Sequence, residues 1–183
     1  AGDSDKALGP VEELDWMKRQ TRLTFARVGV IDPLNLDEYE AHGGLAGLRR
    51  ALGMSAETIV DEVKTSGLRG RGGAGFPTGI KWDTVRLAHA PQKYVVCNAD
   101  EGDSGTFADR MIMEGDPFTL IEGMVIAGLG TGATKGYVYI RSEYPLAVDR
   151  LRTAIRKAKR SGFLGNNVCE TPFRFDVEIR LGA

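Results

Sequence analysis

Cysteine and histidine are scarce in this chain. The 183 residues include two of each: Cys97, Cys169, His42 and His89. Two distant cysteines are too few for a disulfide framework or a complete cluster site. Neither histidine is followed by a metal-ligating residue three or four positions later. The sequence therefore favours reduced thiols in a reducing compartment, and a metal centre would need ligands from elsewhere.

The chain also lacks an excess of one charge and any long apolar run. Its 24 Lys and Arg residues oppose 25 Asp and Glu residues, which leaves a formal net charge of -1. This balance gives no electrostatic case for binding nucleic acid or an anionic membrane. No segment approaches the roughly 18 apolar residues that a membrane helix needs, and the amino terminus is too polar for an export signal. We therefore expect a cytoplasmic protein, with no nucleic-acid partner and no direct membrane insertion.

An initiator methionine is missing as well. The chain stops at Gly182-Ala183, directly after a predicted strand, at a point where a chain would be expected to continue. These two features predict that the chain is a fragment of a longer protein.

Glycine, in contrast, is concentrated in one segment. The run GLRGRGGAGFPTGIKW, from Gly67 to Trp82, holds six glycines, two arginines and a lysine. Glycine lets a backbone approach a ligand closely, while Arg69, Arg71 and Lys81 supply positive charge. The run therefore predicts an anion-binding loop, with a nucleotide phosphate as the first candidate. The alternative is a glycine-rich surface loop without a ligand.

The glycine spacing matches the dinucleotide-binding fingerprint, but the residues before and after it do not. Gly70, Gly72 and Gly75 satisfy G-x-G-x-x-G, but that motif should follow a strand and precede an acidic residue about 20 positions later. Here the preceding segment is predicted to be a helix. A P-loop is excluded because no glycine is followed by Lys and then Ser or Thr. We therefore favour a nucleotide-binding loop of non-standard architecture.

Three short apolar runs separated by helical segments predict the fold. The strands are expected at Tyr94–Asn98, Tyr137–Ile140 and Phe173–Leu181. The helices are expected at residues 11–25, 35–42, 45–52, 56–66, 82–90, 107–114, 117–128 and 145–161. Helical crossovers imply parallel strands. The predicted class is α/β, a Rossmann-like three-layer domain with a parallel sheet over residues 45–183, preceded by an extension with short helices over residues 1–44.

A second loop carries acidic residues. The stretch CNADEGDSGTFADR, from Cys97 to Arg110, places Asn98, Asp100 and Glu101 just beyond the first strand, where ligands gather in parallel sheets. Carboxylates suit ribose hydroxyls and amide donors, so the two loops together match the two ends of a nucleotide. The alternative is a solvated turn in which Asp103 or Ser104 caps the next helix.

The two loops resemble the NADH-oxidising flavoprotein subunit of respiratory NADH:quinone oxidoreductase. This family has relatives in NAD-reducing hydrogenases and NAD-dependent formate dehydrogenases. The segments GDPFTLIEG, from Gly115, and YVYIRSEYP, from Tyr137, extend the resemblance over about residues 45–183. Residues Arg22–Leu52 are most similar to the cytoplasmic formate dehydrogenase branch.

The resemblance implies FMN as the cofactor and NAD+ or NADH as the exchanging substrate. Asp103 would bind ribose hydroxyls and repel the 2′-phosphate of NADPH, and Phe76 would face the nicotinamide nucleotide. Asn98, Asp100 and Glu101 would hold the flavin side of the site. The remaining implied cofactor-binding residues belong to the glycine-rich run: Gly70, Arg71, Gly72, Gly73, Ala74, Gly75, Gly79 and Lys81.

The resemblance also implies a function. The chain would belong to the diaphorase subunit of an NAD-dependent formate dehydrogenase, or else to a complex I flavoprotein or hydrogenase diaphorase. Hydride would pass between nicotinamide and FMN, with no catalytic side chain required and Glu101 as the nearest candidate. Partners would be a thioredoxin-like 2Fe-2S subunit and a catalytic metal-pterin subunit.

A full-length member would carry ubiquitin-like and helical domains and a 4Fe-4S cluster, none of which falls within this chain. The fragment alone is expected to be inactive. The alternative of another class is a non-catalytic structural or interaction module that lacks half of its FMN site.

Overall fold

A computed structural model describes residues 9–10, 13–103 and 105–182. The helices are α1 (Asp15–Lys18), α2 (Leu36–Ala41), α3 (Ala46–Leu52), α4 (Ala56–Thr65), α5 (Thr78–Leu87), α6 (Ala108–Gly115), α7 (Pro117–Thr131) and α8 (Pro145–Arg160). The strands are β1 (Tyr94–Ala99), β2 (Lys135–Arg141) and β3 (Asp176–Gly182).

The three strands form one parallel sheet in the order β1-β2-β3. Cys97, Val138 and Ile179 are in register across it. The connection from β1 to β2 runs through α6 and α7, and the connection from β2 to β3 runs through α8. The predicted α/β class with a parallel sheet is therefore confirmed.

Helix α7 lies at the centre of the layers. Met124 and Gly128 approach the sheet side, where Gly136 and Phe175 lie, while Ile126 and Gly130 point towards α3, α4 and α5. A helix enclosed in this way is apolar on most of its surface, and its few buried polar side chains, such as Glu122, are hydrogen-bonded. The described layers are therefore the sheet, then α7 with α8, then α3 to α5.

The opposite face of the sheet is open in the described residues. Tyr94, Val96 and Tyr139 are 53%, 65% and 42% exposed, whereas Val138 and Ile140 on the covered face are fully buried. Parallel strands normally have both faces covered, so this exposure is a departure from the expected Rossmann-like layering.

Most predicted helices are present with small shifts at their ends. Asn35 and Ser55 cap α2 and α4 as predicted, because their side chains accept hydrogen bonds from the first-turn amides. Helix α5 starts at Thr78 rather than Trp82, so its first turn lies inside the glycine-rich run.

The short amphipathic helix predicted from Val11 to about Phe25 is wrong in extent. Only α1, four residues long, is α-helical in the described part of that segment. It has no side-chain cap and no buried residue, and a helix without tertiary packing is marginal at this length. Residues 1–8, 11 and 12 lie outside the described part of the chain.

The carboxylate of Glu122 in α7 joins the two predicted parts of the chain. It accepts hydrogen bonds from the backbone amides of Leu45 at 2.8 Å and Leu48 at 2.9 Å, and from the hydroxyl of Tyr39. Burial and this carboxylate raise the pKa of Tyr39 well above its usual value. Leu45, the N-cap residue of α3, has a left-handed backbone and no capping side chain of its own, so Glu122 caps α3 from another helix. The division at residue 44 stays a prediction.

Candidate functional site

The glycine-rich segment folds into a closed hairpin-like loop. The amide of Gly70 donates to the carbonyl of Phe76 at 2.8 Å, and the amide of Thr78 donates to the carbonyl of Leu68 at 2.9 Å. The Arg69 side chain donates to the Gly75 carbonyl from the same side of the loop. Arg69, predicted as a source of ligand charge, is thus used to close the loop.

The tip of the loop carries free backbone donors. In the described residues, the amides of Arg71, Gly72, Gly73 and Ala74 have no hydrogen-bond acceptor. The space around Gly72 and Gly73 is empty, since a Cβ built there would meet nothing within 4 Å. Consecutive free amides in an exposed turn suit an anion, because they present partial positive charge without a competing internal acceptor.

Two cations flank these amides. Arg71 and Lys81 are exposed, and neither forms an ion pair within the residues that the structure describes. Lys81 lies in the first turn of α5, where the helix dipole adds positive potential. Its Nζ would be 3.0 Å from a Cβ at Gly70, so the missing side chain at Gly70 leaves room for this ammonium group. The donors present therefore fit the phosphate of a flavin or nicotinamide nucleotide.

Gly79 has a packing role in the structure. It is buried, and a Cβ there would lie 2.7 Å from the backbone nitrogen of Lys64 in α4. Its lack of a side chain lets α4 and α5 approach closely. Nothing in this arrangement directs Gly79 towards a ligand. Phe76, in contrast, is 49% exposed and free to contact one.

The acidic loop begins at the end of β1. Oδ1 of Asn98 accepts from the amide of Asp100 at 3.2 Å, which turns the chain as it leaves the sheet. Oδ1 of Asp103 accepts from the amide of Gly105 at 3.1 Å in a second turn. Asn98 and Asp103 are exposed and Asp100 is partly exposed. Their carboxylate and amide oxygens thus remain partly accessible.

Glu101 caps the helix that follows this loop. Its carboxylate accepts from the amides of Asp109 at 3.1 Å and Arg110 at 2.7 Å, at the start of α6. The alternative interpretation of this stretch gave the capping role to Asp103 or Ser104; Asp103 accepts from Gly105 instead, and Ser104 lies outside the described residues. Burial, together with the nearby Glu101, raises the pKa of Asp109.

The two loops stay separate in their direct contacts. No hydrogen bond or ion pair links Gly70–Lys81 with Asn98–Asp103 within the described ranges. The residues of the glycine-rich loop lie together because the hairpin-like loop closes on itself. The residues of the acidic loop lie together because they follow one another at the end of β1. Their joint contribution to a single pocket stays a prediction.

Three residues beside the acidic loop were missed by the sequence reasoning. Tyr144, at the start of α8, donates its hydroxyl to the Glu101 carbonyl at 2.9 Å. The guanidinium groups of Arg110 and Arg141 lie over the same tyrosine ring. The RSEYP stretch gave a signal for Arg141 and Tyr144, because it places an aromatic residue beside a helix-starting proline at the carboxyl end of a strand, and Arg110 ends the acidic stretch itself.

A cleft of about 660 Å³ opens at the amino-terminal ends of the three strands, among Tyr94, Lys135 and Asp176. None of the predicted site residues lines it. Lys135 pairs with Glu178, and Lys159 pairs with Asp176 at 2.7 Å. These two ion pairs reduce the positive charge that Lys135 and Lys159 could offer to an anion in the cleft.

The described residues offer neither a metal site nor a membrane helix. They contain no group of three or more His, Cys, Asp and Glu side chains placed to hold a metal ion. None of their helices combines the length and apolar character required to cross a membrane.

The fold is an open parallel α/β domain, a class in which ligands bind beyond the carboxyl ends of the strands, where the acidic loop lies. Over residues 63–183 the chain matches the model of a family described as the Nuo51 FMN-binding domain. This match covers more than half of the chain, so the chain belongs to that family. The resemblance drawn from the two loops is thereby confirmed.

Individual relatives share substantial identity. The chain is 52% identical over 166 residues to the NADP-reducing hydrogenase subunit HndC of Solidesulfovibrio fructosivorans, covering 91% of this chain and 34% of the relative. It is 44% identical over 153 residues to an NADH-quinone oxidoreductase subunit of Escherichia coli K12, covering 82% and 34%. The chain therefore spans about a third of the length of these relatives.

A solved structure supports the same relationship. The air-oxidised NAD+-reducing NiFe hydrogenase superposes with a TM-score of 0.64 at 32% identity. The alignment covers 90% of this chain and 25% of the hydrogenase chain.

Proposed function

We propose that this chain is the FMN- and NAD(H)-binding part of a diaphorase subunit, which exchanges electrons between a nicotinamide nucleotide and a flavin. The observation that carries the proposal is the set of free amides from Arg71 to Ala74 beside the cations Arg71 and Lys81. Family membership adds that the expected anion is FMN. The E. coli relative is named for NADH and the Solidesulfovibrio relative for NADP, so both names support a nicotinamide nucleotide as the second ligand.

The residues divide the work of binding. The amides at the loop tip and the Lys81 ammonium group would hold phosphate, and Phe76 offers an exposed ring to a planar nucleotide base or nicotinamide. Asn98, Asp100, Glu101 and Asp103 would bind the flavin and ribose groups at the end of β1. FMN, when bound, supplies the ability to take a hydride and release single electrons. The protein contributes position and charge.

We further propose that the complete protein serves an NAD-dependent formate dehydrogenase in the cytoplasm. This narrower assignment depends on the resemblance of residues Arg22–Leu52. Partners would then be a 2Fe-2S thioredoxin-like subunit and a metal-pterin subunit. The hydrogenase relative and the quinone oxidoreductase relative both support the broader diaphorase role. Assay of the purified complex with formate, hydrogen and quinone as separate substrates distinguishes a formate dehydrogenase, a hydrogenase and a quinone oxidoreductase.

The binding proposal is tested by titrating the flavin-free, full-length protein with FMN and following the quenching of flavin fluorescence. Arg71→Ala and Lys81→Ala should each weaken FMN binding roughly tenfold, because each removes a cation from the phosphate site. Lys18→Ala, on the surface of α1, is the matched control and should bind normally. Unchanged FMN affinity in both loop variants would overturn the assignment. Wild-type protein that takes up no flavin would favour a non-catalytic module.

A further inference from the structure

The backbone of the acidic loop is constrained at Glu101. This residue has a φ of +43°, in the left-handed region that non-glycine residues rarely adopt. Such a conformation persists only when the surroundings hold it. The Glu101 carboxylate is held by the amides of α6, but its carbonyl group points to a different partner.

That partner is Tyr144, which is 5% exposed. Its hydroxyl donates to the Glu101 carbonyl oxygen at 2.9 Å, across 43 residues of sequence. Tyr144 directly precedes Pro145, the first residue of α8, so a regular helix anchors its backbone. One side chain thus connects the acidic loop to α8, which packs against β3.

Two arginines fix the tyrosine ring. The guanidinium carbon of Arg110 lies 5.1 Å from the ring centroid, and that of Arg141 lies 5.6 Å from it. Arg141 also approaches the Gly102 carbonyl at 3.4 Å. It donates to Glu143 at 2.9 Å and lowers the pKa of that carboxyl to about 2, so this pair stays charged at neutral pH. The ring therefore has little freedom to move away from the loop.

We propose that Tyr144 is a positioning residue for the cofactor-binding acidic loop. By holding the Glu101 carbonyl, it fixes the backbone between Asp100 and Asp103 before any nucleotide binds. A preorganised loop binds its ligand more tightly because it loses less conformational entropy on binding. This inference rests on the proposed function, since it assigns Tyr144 to the FMN and NAD(H) site.

The test is Tyr144→Phe in the full-length protein. This change removes the hydroxyl and keeps the ring between the two arginines. Tyr94→Phe is the matched control, because Tyr94 lies at the opposite end of the sheet from the acidic loop and is 53% exposed. Hydrogen exchange of the peptide spanning 98–107, the urea midpoint of unfolding, FMN affinity, and KM and kcat for NADH are measured for each protein.

The expected result is a local one. Amides in 98–107 should exchange roughly 3- to 10-fold faster in Tyr144→Phe, and KM for NADH or the Kd for FMN should rise by a similar factor. The urea midpoint and the exchange of α8 should stay close to wild type. Tyr94→Phe should change none of these quantities.

Other results overturn the proposal in distinguishable ways. Unchanged loop exchange, or faster exchange with normal KM and FMN affinity, removes the positioning role while leaving the proposed function intact. A fall in the urea midpoint without a change in binding assigns Tyr144 to stability alone. Wild-type protein that binds neither FMN nor NADH removes the proposed function, and the positioning role with it, whatever the exchange data report.

Discussion

Arg27 and Asp116 form an ion pair across 89 residues of sequence, with Nε of Arg27 2.9 Å from Oδ2 of Asp116. The Asp116 side chain is 1% exposed and the Arg27 side chain is 21% exposed. Thr119 also donates to the same carboxylate oxygen at 2.9 Å. The pair attaches the N-terminal segment to the start of α7.

Arg27→Met should therefore destabilise the fold substantially. It leaves the buried Asp116 carboxylate without its cation, and breaking a buried pair in this way costs about 2–4 kcal/mol when one partner retains some exposure. The free energy of unfolding in urea measures the effect. Arg49→Met is the control, because Arg49 pairs with Glu40 on the surface, where it is 56% exposed. Equal losses in the two variants would contradict the special role of the buried pair.

Gly79→Ala should affect the stability of the fold, whereas Gly73→Ala should affect FMN binding. A Cβ at Gly79 would collide with the backbone of Lys64, so Gly79→Ala should lower the free energy of unfolding by roughly 1–3 kcal/mol. A Cβ at Gly73 meets no atom within 4 Å, so Gly73→Ala should fold normally but weaken FMN binding by crowding the free amides. Urea unfolding measures the loss of stability in Gly79→Ala, and flavin titration measures the loss of FMN affinity in Gly73→Ala. Normal stability in Gly79→Ala would argue against the close helix contact.

Features set by neighbouring residues could be predicted from the sequence. Asn35 and Ser55 cap helices through amides within three residues of themselves. The apolar runs that begin at Tyr94 and Tyr137 form strands, in which alternate side chains such as Val138 and Ile140 are buried on one face of the sheet. Helical connections then required parallel pairing. Local chemistry is sufficient for all of these.

Features set by distant residues could not be predicted in this way. Glu122 caps α3 from 77 residues away, and Tyr144 holds Glu101 across 43 residues. No local pattern encodes either contact. Gly79 is instructive for the same reason: its position in a glycine-rich run suggested a ligand, whereas the structure explains it by packing between α4 and α5.

Asp103→Asn tests the choice between NADH and NADPH. The amide side chain keeps the oxygen that accepts from Gly105 at 3.1 Å, so the turn should survive while the negative charge is lost. Removing the repulsion of a 2′-phosphate should raise the ratio of kcat/KM for NADPH to that for NADH roughly tenfold. Steady-state kinetics of the complete enzyme with both nucleotides provides the ratio. An unaltered ratio would mean that selectivity lies outside this loop.

Cys97 should make the stability of the protein depend on alkaline pH. Burial in the sheet, with a smaller contribution from Asp109, raises the pKa of this thiol from 9.0 to about 11. Above pH 9 the unfolded chain loses the proton while the folded chain retains it, so stability falls as pH rises from about 9 to about 11. The loss attributable to this thiol is roughly 2–3 kcal/mol, since each pKa unit corresponds to about 1.4 kcal/mol. The measurement is the difference in unfolding free energy between wild type and Cys97→Ala, which should shrink by that amount over this alkaline range. A difference that stays constant would show that the thiol ionises as readily in the folded protein as in the unfolded chain.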